Sequence, residues 1–461
     1  MNLKMIFAAT ALAAMTMSSC SSDTPVDPET NIARGETTYA TFNLSLNTTG
    51  SRANGDNNAD AKEQTVKKMH LYIFGGGVLE VDYLIPNSYS FGTKVGPVKL
   101  TTGEKVVYAV AGDLKVNDAE FTAVAEGTEG AQPTRLSTFE KILFDALAED
   151  IATPDNFLMA GKKEVTVTKS TEDKPCEVTV SITRAATKTQ LKYDTTEGAV
   201  NVRPTINAKF ADAKFAMMQC AETMWLTPGN YTQASKPTQS NKGTYTGYTE
   251  VPNTVADNLF CDAVTDFSEN LDNSRYTGEA YNENPVTGNT TFALVRLKAT
   301  PKQICDSYDT KTKTYKYSGS LTNGTFYVLA KKDATTASYI FASDNEYNIL
   351  YFASTTKANQ AKTALGLGTG WSVETYTNGY VYYRVNLMTN PDATDLKEKY
   401  CALRNHFYKI TVTDIKALGA PNAPGVVPTD PDQPLEADAW LAATITAEPW
   451  VAVDMNNTTL Q

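Results

Sequence analysis

The chain has two histidines, His70 and His406, and six cysteines, Cys20, Cys176, Cys220, Cys261, Cys305 and Cys401. These are the side chains best suited to act as base, nucleophile or metal ligand near neutral pH. Their spacing argues against such work. No two cysteines form a CxxC pair and the set is scattered, whereas zinc and iron–sulfur sites need clustered ligands. His70 lies inside an alternating segment and His406 heads LRNHFYKITV, places where packing or a turn hydrogen bond is the ordinary use. No GxSxG nucleophile elbow occurs. Gly75-Gly76-Gly77 lacks GxGxxG spacing and reads as a β-turn. Asp430 and Asp432 are split by a proline and lack the Gly and distal Glu of an EF-hand-type loop. The residues therefore point to no catalytic site, no cofactor and no metal, and the chain reads as a non-enzyme.

The bulk numbers agree with an exported β protein. The 461 residues are 41% hydrophobic and only 20% charged, with abundant Thr, Asn and Tyr. Thr and Tyr suit a half-buried pleated sheet. A mean hydropathy of -0.33 excludes a polytopic membrane protein. The net charge is -11 with no dense Lys/Arg block, so nucleic acid is a poor partner.

The amino terminus reads as an address. NLKMIFAATALAAMTMSSC has an early Lys, a short apolar run and small residues before Cys20. The run is too short to span a bilayer and has the layout of a secretory signal. Its end resembles a bacterial lipobox, with Met17 where Leu or Val is usual. On that likeness Cys20 becomes the lipidated first residue after cleavage, and five cysteines remain, an odd number.

The elements that follow are mostly strands. TYATFNLSLNTTG alternates, with Ala40, Phe42, Leu44 and Leu46 on one face, which predicts a half-buried strand. Further strands are expected at 66–74, 104–112, 163–168, 176–182, 186–193, 291–297, 324–330, 379–387 and 406–415. A helix is expected over Ser137–Asp150 from its cap and apolar stripe, and a short one near 356–365. Residues 227–258 and 262–291 read as surface loops. The Pro-rich stretch 420–434 reads as an extended, unpaired connector to a last strand-like segment, ITAEPWVAV. The division expected is two β-rich domains with a boundary near 195–205.

The two ends suggest an exchange. Arg52-Ala53 sits in a polar stretch just after the first strand, and a trypsin-like cut there would detach that strand. The loss of four apolar side chains would leave a groove worth on the order of 10 kcal/mol. Such an edge is a template for a strand from another molecule. The tail supplies one, with Ile445, Ala447, Val451 and Val453 and a phase correction at Pro449. Head-to-tail insertion does not close, so it builds a filament.

Nearly the whole chain resembles the Bacteroidales fimbrillins, or type V pilins, and most of all the shaft subunits of Porphyromonas short (minor) fimbriae. The resemblance is carried by the signal ending at Cys20, by NLSLNTTGSRANGD leading into VKKMHLYIF, and by LTTGEKVVYAVAG, FLMAGKKEVTV, SITRAATKTQLKY and GYVYYRVNL. Its most specific part is YCALRNHFYKITVTDIKALGAP with the downstream ITAEPWVAVDM. The likeness implies a mainly β fold of two tandem transthyretin-like β-sandwich domains with a few short helices. Residues 1–20 are then a lipoprotein signal peptide and 21–52 a propeptide. Residues 53–200 form an N-terminal domain and 201–461 a C-terminal one, with a donor strand at about 438–456. It also implies an arginine-specific protease cutting at Arg52–Ala53, with Arg34–Gly35 a weaker rival, and a precursor lipid-anchored at the outer membrane. The implied product is a surface fimbria polymerised by strand exchange, with accessory and tip subunits, and host or bacterial surface receptors as partners in adhesion and biofilm formation. The competing expectations are a monomeric surface lipoprotein that binds glycan or host ligand through Tyr-rich loops, and an accessory or tip subunit.

Overall fold

A computed structural model describes residues 35–46 and, with breaks, 60–449. Residues 1–34, 47–59, 113–132, 146–150, 227–246, 436–440 and 450–461, with a few isolated positions, lie outside the described set. The fold is mainly β with sandwich-like sheets.

Among the described residues the first sheet has seven strands: β1 (Thr37–Leu46), β2 (Met69–Gly75), β3 (Val78–Ile85), β4 (Lys94–Thr101), β5 (Gly103–Ala111), β6 (Met159–Val167) and β7 (Cys176–Arg184). Their spatial order is β3-β2-β5-β6-β7-β1-β4. Alternation explains the strands: in β7, Val178, Val180 and Ile182 are buried while Glu177, Thr179 and Ser181 face out. The ends of the series meet, because Glu80 of β3 accepts from the Thr101 amide of β4 at 2.5 Å and from Lys105 Nζ at 2.6 Å. A short helix α1 (Leu136–Phe139) drops Phe139 into the core, where its ring lies 4.9–5.0 Å from Tyr72, Phe74 and Tyr108.

Of the helix expected over Ser137–Asp150, residues 146–150 lie outside the described set, and the described part holds only the turn that ends at Phe139. Residues Leu143–Asp145 are a strand, paired with Thr223–Trp225. Tertiary pairing overrides the local helical pattern here.

The chain leaves β7 through the buried Ala185 and Ala186 and enters β8 (Thr187–Lys192), which already belongs to the second set of sheets. That set contains β9 (Ala208–Met218), β10 (Arg275–Thr277), β11 (Phe292–Pro301), β12 (Phe326–Lys332), β13 (Tyr380–Asn386), β14 (His406–Ile415) and β15 (Leu441–Pro449). β8 lies between β10 and β14, and β15 pairs with the far edge of β14. β9, β11 and β13 form a second layer, and β12 centres a third. Helix α2 (Thr355–Ala364) covers the last, its first turn capped by Ser354 Oγ, which accepts from the Lys357 amide at 3.2 Å.

One expected surface loop, 262–291, and the expected unpaired connector, 420–434, are packed instead. Within 262–291, Ser274, Thr277, Asn282, Thr287, Asn289, Thr290 and Thr291 are buried polar residues. Their groups are paired: Arg384 Nη2 donates to the Thr287 carbonyl at 2.8 Å and Tyr248 donates to Asn282 at 2.8 Å. Polar composition suggested exposure, but a polar segment can be buried once its hydrogen bonds are satisfied. The Pro-rich connector is likewise docked. Ala420, Ala423, Val426 and Val427 join Phe260, Phe292 and Leu294 in one apolar cluster. The amides of Thr287 and Gly288 donate to the carbonyls of Gln433 and Pro431 at 3.0 and 2.8 Å.

Candidate functional site: the groove occupied by the first strand

β1 lies between two strands, parallel to β7 and antiparallel to β4. Ala40, Phe42 and Leu44 are fully buried and Leu46 packs partly against the same core. The register sets Phe42 beside Val178 and Leu44 beside Val180. On the β4 side the register slips between Ala40 and Phe42. Gly96 makes the slip possible: its φ is 110°, and a Cβ there would come within 2.8 Å of the Ala40 carbonyl oxygen.

Where the flanking strands give out, side chains take over. Before β7 begins, Ser170 Oγ donates to the Tyr39 carbonyl at 2.6 Å and accepts from the Tyr39 amide at 3.2 Å. The neighbouring Thr38 hydroxyl is fully buried; it donates to the Thr168 carbonyl and accepts from the Ser170 amide, both at 2.9 Å. Beyond the start of β4, the Tyr89 hydroxyl accepts from the Leu44 amide at 3.3 Å and donates to the Thr93 carbonyl. The Gly92 amide reaches the Leu44 carbonyl at 3.3 Å. Burial raises the Tyr89 hydroxyl above its ordinary pKa, and its contact with Leu44 pulls weakly the other way. None of these partners was visible in the sequence. Thr38 and Ser170 lie 132 residues apart, and no local spacing announces such a contact.

The groove holds one imperfection. Asn43 Oδ1 is buried and receives no hydrogen bond among the described residues.

Cys176 opens β7 directly opposite Ala40. Its half-buried thiol is held below the usual cysteine value by the Thr168 hydroxyl, against an opposing effect of burial.

The other partner in the expected exchange is β15. It runs antiparallel to β14, with Ile445 opposite Ile410 and Ala447 opposite Tyr408. Leu441 and Ile445 are buried; Ala443 and Ala447 pack partly against the same core. Glu448 bonds Lys409 at 2.7 Å. Among the described residues no strand pairs with the outer edge of β15. Within this chain, then, β1 and β15 occupy different sheets. Cys20, Arg34, Arg52, Ala53, Val451 and Val453 lie outside the described residues.

Residues 374–456, from just before β13 through β14 and β15, match the family model "Major fimbrial subunit protein type IV, Fimbrillin, C-terminal". No curated protein matches the chain. Among solved structures, a fimbrilin from Porphyromonas gingivalis W83 is similar at 17% identity and a TM-score of 0.50, over 90% of this chain and 98% of that one. The tip fimbrial protein Mfa3 from Porphyromonas gingivalis, with C-terminal truncation, is similar at 14% identity and a TM-score of 0.40, over 90% of this chain and 100% of that one. At such identities the first likeness is one of fold.

Proposed function

Through residues 374–456 the chain belongs with the fimbrillins, and from that premise we propose that it is a shaft subunit of a cell-surface fimbria that assembles by strand exchange. It is a structural subunit, not an enzyme. In this reading an arginine-specific protease cuts at Arg52–Ala53 and frees β1. A strand from a second copy, drawn from the tail that carries Ile445, Ala447, Val451 and Val453, then fills the vacated groove. Lipidation at Cys20 would hold the precursor at the outer membrane until the cut.

The observation that supports this most is the position of β1. It is the strand nearest the amino terminus among the described residues, yet it sits inside the sheet, with β4 outboard of it. Loss of β1 would strip β7 and β4 of a ladder and open the space of Ala40, Phe42 and Leu44. Burying those side chains again is worth roughly 1.5–3 kcal/mol for each large one. The unpartnered Asn43 oxygen makes β1 an imperfect tenant. A supply of replacement strand is at hand in β15, which has one unpaired edge among the described residues and belongs to the fimbrillin C-terminal region.

The test uses the purified precursor treated with an arginine-specific protease. The expected outcome is SDS-resistant ladders from the intact chain, and monomer only from Arg52→Ala or from a chain ending after Asp438. Equal monomeric behaviour in all three would remove the polymer reading and favour a monomeric capture protein.

A further inference from the structure

The contacts at the two ends of β1 have a common property. At Tyr39 and at Leu44 the groove bonds main-chain N–H and C=O groups, using the Ser170 hydroxyl at one end and the Tyr89 hydroxyl with the Gly92 amide at the other. Main-chain contacts do not depend on which residue supplies them. They do require an N–H at both positions, which proline lacks. We infer that Ser170 and Tyr89 are positioning residues that grip the backbone of any strand entering this groove, and that they fix the register of the β15 segment of a second copy, laying Leu441–Pro449 over Thr38–Leu46. This rests on the strand-exchange reading and goes beyond it by naming the frame and the residues that set it.

The frame follows from elimination, for a strand running in the direction of β1. The core side takes the residues at the Ala40, Phe42 and Leu44 positions, so it must receive the apolar face of the tail: Leu441, Ala443, Ile445, Ala447, Pro449, Val451 and Val453. If Pro449 took the Leu44 position, the Tyr89 hydroxyl would lose its donor. If it took the Phe42 or Ala40 position, a proline would sit inside a strand flanked on both sides, where it is not tolerated. A frame two residues the other way would press Leu441 into the space of Ala40 and leave Ala443 in that of Phe42, overpacking one site and hollowing the other.

With Pro449 at Thr38, Val451 would be pressed into the space of Ala40; the frame left puts Ala443 at Ala40, Ile445 at Phe42 and Ala447 at Leu44. Ala442 and Ala447 then meet Ser170 and Tyr89 with intact N–H groups. Pro449 falls at Leu46, past the second grip, where β1 itself ends. Thr446 takes the place of Asn43, which exchanges the unpartnered buried amide oxygen for a smaller hydroxyl. The frame has one local cost, because Leu441 replaces the hydroxyl of Thr38 that serves Thr168 and Ser170.

The experiment is cross-linking in protease-matured polymer. In β1 the outward-facing Asn43 stands beside Thr179 of β7, so the frame brings Thr446 of one subunit to Thr179 of the next. The double variant Thr179→Cys with Thr446→Cys is expected to give covalent dimers and higher ladders under mild oxidation, with the linked peptides identified by mass spectrometry. Thr179→Cys with Ala452→Cys, which reports the frame with Pro449 at Ala40, is expected to give none. Tyr89→Phe and Ser170→Ala are each expected to slow assembly by roughly tenfold, the worth of one or two hydrogen bonds. Leu441→Thr is expected to raise the temperature at which polymers fall apart in SDS. Cross-links through position 452 and not 446, in polymer that forms normally, would overturn the register while leaving strand exchange standing. Normal assembly rates in both hydroxyl variants would overturn the gripping role. Absence of any polymer from the matured wild-type chain would bring down strand exchange and this inference together.

Discussion

Glu63 and Lys188 form a fully buried ion pair, Oε1 lying 3.0 Å from Nζ with neither side chain exposed. The pair ties the segment downstream of Arg52 to β8. Tyr276 of β10 donates to the same Glu63 oxygen at 2.5 Å, and Arg184 Nε at the end of β7 donates to the Glu63 carbonyl at 2.9 Å. Burial pushes the Lys188 ammonium below its ordinary pKa, with Glu63 opposing. Removing one member of such a pair leaves a buried charge without its counterion. Glu63→Gln is therefore expected to cost about 3–5 kcal/mol, read from the urea midpoint at unchanged slope. A loss below about 1 kcal/mol, the value of exposed pairs, would show that the cluster does not hold the body together.

Phe42 separates the stability of the precursor from that of the matured chain. It is fully buried in β1, so Phe42→Ala should destabilise the precursor by about 3–5 kcal/mol. If maturation removes residues up to Arg52, the same substitution should have no effect on the chain 53–461. Calorimetry of both forms checks this. An equal loss in both would mean that β1 stays with the mature protein.

Much of this architecture could be read from the residues. The alternation of Thr38 to Leu46 and of HFYKITVTDI gives strands because a half-buried sheet demands that period, while LYIF is an unbroken apolar run buried throughout. What escaped was set by distant partners. The apolar stripe after Ser137 suggests a helix, but Thr223–Trp225 claims Leu143–Asp145 as a strand. The prolines of 420–434 suggest a free tether, but the small side chains between them fit the apolar surface of β9 and β11. The grip of Ser170 and Tyr89 on β1 spans 131 and 45 residues of chain, a distance over which spacing carries no signal.

Alkaline pH should loosen the far end of the groove. The Tyr89 hydroxyl has its folded pKa raised above the ordinary 10.0, chiefly by burial. Its contribution is then complete below pH 10 and is lost as pH rises through the folded value, because the unfolded chain gives up the proton first. The stability of the wild-type precursor should fall more steeply above pH 10 than that of Tyr89→Phe, with parallel curves between pH 6 and 9. Denaturant midpoints measured across that range decide it. Curves that stay parallel above pH 10 would mean that Tyr89 ionises without cost to the fold.

The cysteines offer a final check on the groove, because their environments differ. Cys261 and Cys305 are buried and paired with no other cysteine among the described residues, their thiols pushed by burial up to about 12 and about 11. Cys176 is half-buried, and the Thr168 hydroxyl draws its pKa below the usual value. Thiolate fraction and access both control alkylation, so iodoacetamide at pH 8 should modify Cys176 well ahead of Cys261 and Cys305 in the folded precursor. Cys176 also stands opposite Ala40, so its rate reports whether the groove is filled. The rate should rise when the protease removes β1 and fall again as polymer forms, followed by mass spectrometry of the Cys176 peptide. A rate that never changes through maturation and assembly would mean that the strand beside Cys176 was neither removed nor replaced.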